Sequence, residues 1–184
     1  GAILITSANS QTTITHSKFA STYSNGAIKT SDQVNSLSIE FCTFQACYGQ
    51  ESKYFDIKYS KEFVFKHNIL SQARIEGGSN GKITPPSSVT EYIFENITFT
   101  EGRYHTQYSS DFGIQFEGLN KITFSNCKWT QNNPEYHPNN NIQKFNLDLE
   151  IIYQTCTFSL NEILVSSDQN TNGGALTVKN SKVT

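Results

Sequence analysis

The sequence predicts an all-β chain wound as a parallel β-helix of six turns and part of a seventh. Three observations carry this. An eight-residue pattern recurs from end to end, apolar and polar residues alternate inside it as in a strand with one buried face, and its period stays between 25 and 30 residues.

The copies occupy 12–19, 37–44, 63–70, 92–99, 122–129 and 151–158, and the closing aromatic or leucine falls at Phe19, Phe44, Leu70, Phe99, Trp129 and Phe158. A repeat of this length means stacked units. Leucine-rich, ankyrin and tetratricopeptide repeats are excluded. Each needs a helix, and no copy sustains apolar residues at i, i+3, i+4 and i+7.

Within a copy the first and third places are apolar, as in Ile122 and Phe124. The phase then slips by one residue, so that Cys127 and Trp129 point inward rather than Asn126 and Lys128. A two-residue bend between short strands produces that slip. The bend residue is His16, Phe41, His67, Asn96, Asn126 or Thr155, and Asn is the non-glycine residue that best tolerates a left-handed backbone.

The outward columns test the same register. Glu40, Lys66 and Glu95 alternate in sign, as do Glu91, Lys121 and Glu150, which suits opposite charges on neighbouring strands. Glu62 beside Glu91 breaks the alternation once. Val64, Ile93 and Ile152 also face outward, and Val64 with Ile93 forms an apolar pair for a packed loop or a partner chain to cover.

Taken in order, the first turn runs to about Asn25, and Gly26-Ala27-Ile28 opens the second in the phase of Gly1-Ala2-Ile3. The third opens with Tyr54-Phe55-Asp56-Ile57 and is expected to close in a loop over 76–81. Pro85-Pro86 makes the fourth bulge, because proline cannot donate to a ladder. Corner insertions follow at 101–108 and 131–141. The sixth ends near Gly173-Gly174, where a seventh begins with Ala175-Leu176. No linker divides residues 1–184, so a single domain is expected. Strand-like residues at both ends suggest a segment without caps, continuing into further repeats of its own chain.

Composition narrows the partners. The formal charge is −2 and charged residues make up 16%, which offers no electrostatic footprint for nucleic acid. Hydrophobic residues make up 36%, scattered at period two, with no run long enough for a helical membrane span. Of the four cysteines, Cys42, Cys127 and Cys156 share one inward place. Cys127 and Cys156 lie on adjacent turns, near enough to bridge if their side chains rotate suitably; two small buried thiols is the plainer reading.

Phe158-Ser159-Leu160-Asn161 with Gly173-Gly174-Ala175-Leu176, together with Asn25-Gly26-Ala27-Ile28 and Trp129-Thr130-Gln131-Asn132, resembles the Phe-x-x-Asn and Gly-Gly-Ala-Ile repeats of chlamydial polymorphic outer-membrane proteins. Similar repeats occur in surface proteins of other microbes, including protists. The broader pattern is similar to the right-handed parallel β-helix of the pectate-lyase type. That resemblance implies a right-handed coil, a location outside the cell or on its surface, and a role as adhesin or scaffold.

Enzymes of that fold that act on acidic polysaccharides carry clustered acids, a Gly-His-Gly or an Arg-x-Lys. Here Asp32, Asp56, Asp111, Asp148 and Asp168 are scattered singly, and Arg74-Ile75-Glu76 replaces the basic pair. No catalytic, cofactor or metal site is therefore expected, although carboxylates can converge across turns, which keeps a carbohydrate lyase or hydrolase as an alternative. His16 and His67 share the bend but sit two turns apart, too far to share a metal.

His105 and His137 fall in corner loops of neighbouring turns beside Tyr104, Tyr108 and Tyr136. They form a candidate patch for a glycan or a protein; the alternative is two solvated loops with ordinary surface tyrosines. Asn96-Ile97-Thr98 is an N-glycosylation sequon, and a buried bend would leave Asn96 unmodified. The function expected is a non-enzymatic scaffold or adhesin that binds a protein or glycan through corner loops or outward faces. A structural subunit of a filament or cilium is a further alternative.

Overall fold

The computed structural model describes residues 2–20, 26–46, 48–49, 52–72, 74–75, 79–101, 103–104, 114–116, 120–131, 143–145, 150–159, 176–178 and 182–183. Every strand pairing among them is parallel, and the strands stack as a solenoid. Parallel neighbours separated by 25 to 30 residues are what one circuit of chain per layer produces.

Three faces build each turn. The first face carries Ile3–Ile5, Ile28–Thr30, the front of Ser52–Lys66, Ser79–Thr84 and Ile114–Phe116. The second carries Gln11–Thr15, Val34–Glu40, the rear of Ser52–Lys66, Glu91–Glu95, Lys121–Ser125, Glu150–Gln154 and Lys182–Val183. The third is a six-stranded ladder of Lys18–Ala20, Thr43–Gln45, Ile69–Ser71, Thr98–Thr100, Lys128–Thr130 and Thr157–Ser159. Among the described residues the circuit closes for about four turns, fewer than the six and a part expected, because the later corners lie outside those residues.

Glycine and the bend residues set the corners. Gly26 takes φ 79°, and Ala27 and Ile28 behind it are fully buried, with Ile28 paired to Ile3 below and Phe55 above. The six bend residues all adopt a left-handed backbone, with φ 49° at His16, 55° at Phe41, 56° at His67 and Asn96, and 54° at Asn126 and Thr155. A second left-handed corner follows four of the six third-face strands, at Ala46, Gln72, Glu101 and Gln131. Pro85 and Pro86 leave the ladder as expected, with the Val89 N–H donating to the Pro86 carbonyl at 2.9 Å. The expected loop over 76–81 is partly overturned. Ser79–Thr84 is a strand held on both sides, Gly81 pairing with Phe55 and with Ile114.

The inward columns are the core. Ile14, Ile39, Phe65, Phe94 and Phe124 are buried one above another, with Tyr153 half-buried beyond them. Phe94, Phe124 and Tyr153 stack at centroid distances of 5.3 and 5.4 Å. The third-face column stacks likewise, Phe99 on Trp129 at 5.2 Å and Trp129 on Phe158 at 4.6 Å. The columns interlock through an edge contact of Phe124 with Trp129 at 5.2 Å. Offset and edge contacts of this kind add to what area burial alone supplies.

Asn68 and Tyr92 pair their buried polar groups across turns, while the Ser10 hydroxyl oxygen is buried without a partner. Asn68, fully buried, accepts the Cys42 N–H and donates its amide to the Ile39 carbonyl, both at 2.8 Å. Tyr92 donates its hydroxyl to the Phe63 carbonyl at 3.2 Å, and burial pushes its pKa well above the usual tyrosine value. No helix among the described residues is long and apolar enough to cross a membrane.

Two measurements check this architecture. Phe124→Ala should lower stability by about 3–5 kcal/mol in urea unfolding, because a stacked aromatic leaves a cavity; a variant that melts with the parent would contradict the stack. Thr155→Asn should raise stability by about 0.5–1 kcal/mol, because a β-branched residue is ill suited to φ 54° and Asn is not. A lower unfolding midpoint for that variant would count against a left-handed Thr155.

Candidate functional site

The surface begins where the core columns end, since each inward residue has outward neighbours on the same strand. On the second face Ile93 is 57% exposed, while Val64 and Ile152 are half-buried. Ile93 pairs with Thr123, and Thr123 with Ile152. The Lys66–Glu95 pairing carries Val64 and Ile93 to matching places two residues earlier. Thr123 occupies the same outward column. It is short and set between two larger residues, and only 8% of it is exposed.

Below this apolar column a shallow groove of about 250 Å³ runs along the same face. Gln11, Ser36 and Glu62 line one side and Thr13, Ser38 and Val64 the other. Its chemistry is hydroxyl, amide and carboxylate, with one methyl-bearing wall.

The charged columns flank the apolar one. Lys66 Nζ meets Glu95 at 2.7 Å and Lys121 Nζ meets Glu91 at 3.4 Å, as the alternation of signs implied. The hydrogen bond from Lys66, then its charge, holds the Glu95 carboxyl below the usual carboxylate range. Glu40 pairs with Lys66 in the ladder, but its carboxylate accepts the Ser38 hydroxyl at 2.7 Å. On the first face Lys29 and Asp56 lie 3.9 Å apart. At the second corner the Gln45 amide donates to Gln72 at 3.1 Å and the Gln72 amide to Glu101 at 2.8 Å.

The bend brings together three rings that the sequence reading left apart. Phe41 is 49% exposed, and its ring is stacked between His16 at 5.1 Å and His67 at 4.6 Å. The signal was the column itself, which reads His, Phe, His on successive turns. Phe41 fills the space between the imidazoles, so they cannot share a metal. The same column corrects the expectation of a buried bend. His16, Phe41, Asn126 and Thr155 are exposed, and Asn96 of the sequon is half-buried, because a left-handed residue at a corner points its side chain off the solenoid.

Of the expected glycan or protein patch, His105, Tyr108, Tyr136 and His137 lie outside the described residues. Tyr104 belongs to the strand Arg103–Tyr104, which pairs with Arg74–Ile75. Among the described residues no three His, Cys, Asp or Glu side chains come together as metal ligands. In the cysteine column Cys42 and Cys127 are buried and Cys156 is half-buried. Burial pushes the pKa of Cys42 and Cys156 up, and that of Cys127 up to about 12. Compared with protein-family models, curated proteins and solved structures, the chain matches none.

The Lys66–Glu95 pair gives a pH test. A carboxyl held below its ordinary pKa contributes stability above the unfolded value and loses it as pH falls through the folded one. The pair is exposed, so the stability involved is small and the pKa is the better readout. Lys66→Ala should move the Glu95 pKa upward in an NMR carboxyl titration, and an unmoved pKa would mean the pair does not form in solution.

Proposed function

We propose that the chain is a non-enzymatic scaffold or adhesin segment, outside the cell or on its surface, that offers outward faces and corner loops to a protein or glycan. One observation carries the reading. Among the described residues three charge pairs run between turns, Lys66 with Glu95, Lys121 with Glu91 and Lys29 with Asp56, rather than gathering around one cavity. Catalysis by paired carboxylates needs two acids facing a common space. Binding by a solenoid needs only a long face.

Exposed large residues add to the support. Leu4, Phe41, Ile69 and Ile93 are 61, 49, 42 and 57% exposed, on different faces and corners. The Phe-x-x-Asn and Gly-Gly-Ala-Leu likeness to polymorphic outer-membrane proteins favours the same role, and a right-handed pectate-lyase-like coil goes with it. A structural subunit of a large assembly is the second reading, favoured by Ile93 rising from the apolar column that it shares with Val64 and Ile152.

A glycan array run beside a reducing-end assay on polysaccharides separates binder from enzyme. The expected outcome is retention of glycans, or of a protein partner in a surface-protein screen, with no new sugar ends. Release of reducing ends or unsaturated products would replace the scaffold with a lyase or hydrolase.

A further inference from the structure

The cysteine column contains one place where two thiols meet. Lys128 pairs with Thr157, so Cys127 and Cys156, one residue earlier on each strand, occupy matching places on adjacent turns. The Thr157 N–H donates to the Cys127 carbonyl at 2.9 Å and fixes the two backbones together at that point. Parallel strands run about 4.8 Å apart, inside the window of about 4.4–6.8 Å between Cα atoms that a disulfide spans.

The side chains share an orientation. Cys127 Sγ donates to the Phe94 carbonyl at 3.6 Å and Cys156 Sγ to the Phe124 carbonyl at 3.2 Å, each reaching toward the turn below. Cys156 therefore leans toward the layer that holds Cys127. Both are free thiols. Cys42 also donates downward, to Ile14 at 3.6 Å, but its column neighbours are Ser17 and Asn68, so it has no equivalent partner there.

We infer that Cys127 and Cys156 are a covalent modification site, the two halves of a disulfide that ties one turn of the solenoid to the next. The oxidant is a small-molecule disulfide, such as oxidised glutathione. Cys156 is half-buried and Cys127 fully buried, so Cys156 reacts first. Its thiolate attacks one sulfur of the small disulfide and one small thiolate leaves. Cys127 then loses its proton and attacks the Cys156 sulfur of the mixed disulfide, and the second small thiolate leaves. Two electrons pass from the cysteines to the small disulfide, and the two departing thiolates take up the two protons. Because burial disfavours the Cys127 thiolate, the second step is the slow one and speeds up as pH rises.

The link would close a loop of 29 residues, from Cys127 to Cys156, and restrict the unfolded chain. The test uses the whole chain, folded, incubated with oxidised glutathione at mildly alkaline pH, alkylated and digested with trypsin. Cleavage after Lys121, Lys128, Lys144 and Lys179 places the two cysteines on separate peptides, 122–128 and 145–179. The expected product joins these peptides and is lighter than their sum by two hydrogen atoms. The oxidised chain should melt about 5–10 °C above the reduced one, with the gain reversed by dithiothreitol. Cys156→Ser, at the half-buried position, should show neither effect, and the parent's oxidised and reduced forms make the comparison without any substitution. A glutathione adduct on Cys156 with Cys127 still open to alkylation would overturn the inference. So would a link to Cys42 or Cys47, or a joined peptide without a rise in melting temperature.

Discussion

The solenoid depends on a single left-handed residue between its second and third faces, because that residue converts one strand phase into the next. Were it right-handed, Cys127 and Trp129 would swing outward and the third-face column would lose its inward side. At His16, Phe41, His67, Asn96, Asn126 and Thr155 the same φ recurs within a few degrees, so every turn makes the same corner and the layers stay in register. Only one of those residues is β-branched and none is glycine. Holding that backbone costs about 1–2 kcal/mol per ordinary residue, so the packing on either side has to offset it at each layer.

That packing is aromatic and continuous. Phe124 touches Phe94 below and Tyr153 above, and turns its edge partner Trp129 toward the third face. A backbone one residue out of phase would break all three contacts at once, which makes the register cooperative across neighbouring turns. Polar atoms trapped between layers follow the same logic, since the groups nearest to them are the carbonyls and amides of the turn below. Asn68 uses both ends of its amide on the Cys42 turn, and each buried thiol finds a carbonyl one layer down.

Much of this was legible in the sequence because a solenoid repeats its physical constraints at fixed intervals. The six bend residues, the paired Gly-Ala-Ile starts and the Lys66–Glu95 and Lys121–Glu91 pairs all follow from aligning copies. The second corner was not legible, as Ala46, Gln72, Glu101 and Gln131 share no chemical trait that marks a left-handed backbone. Ser79–Thr84 was hidden for a related reason. Its Ser, Asn and Gly look like a loop, and only two flanking ladders make them a strand. The bend was misjudged as buried, because a strand's alternation says nothing about a side chain that projects from a corner. The surface was hardest to read. The Phe41 stack follows only once the bend column is read as His, Phe, His on successive turns, and most of the tyrosine and histidine patch lies outside the described residues.

Inward and outward columns therefore answer to different constraints. Replacing Phe124 disturbs three ring contacts and two neighbouring turns, whereas Ile93, with more than half its surface open, can change without reaching the core. Outward residues are thus free to vary turn by turn while the ladder hydrogen bonds hold their spacing. The sequence uses that freedom unevenly. Neighbouring outward columns on the second face carry ion pairs and an apolar strip, and the adjacent bend carries the His-Phe-His stack. In the proposed binding role a partner would meet side chains at regular intervals of about 4.8 Å along the axis, set by a backbone that it does not need to order on binding. Such a surface suits extended ligands. Each added layer contributes contacts at little further entropic cost, whereas a compact ligand could reach only one or two layers.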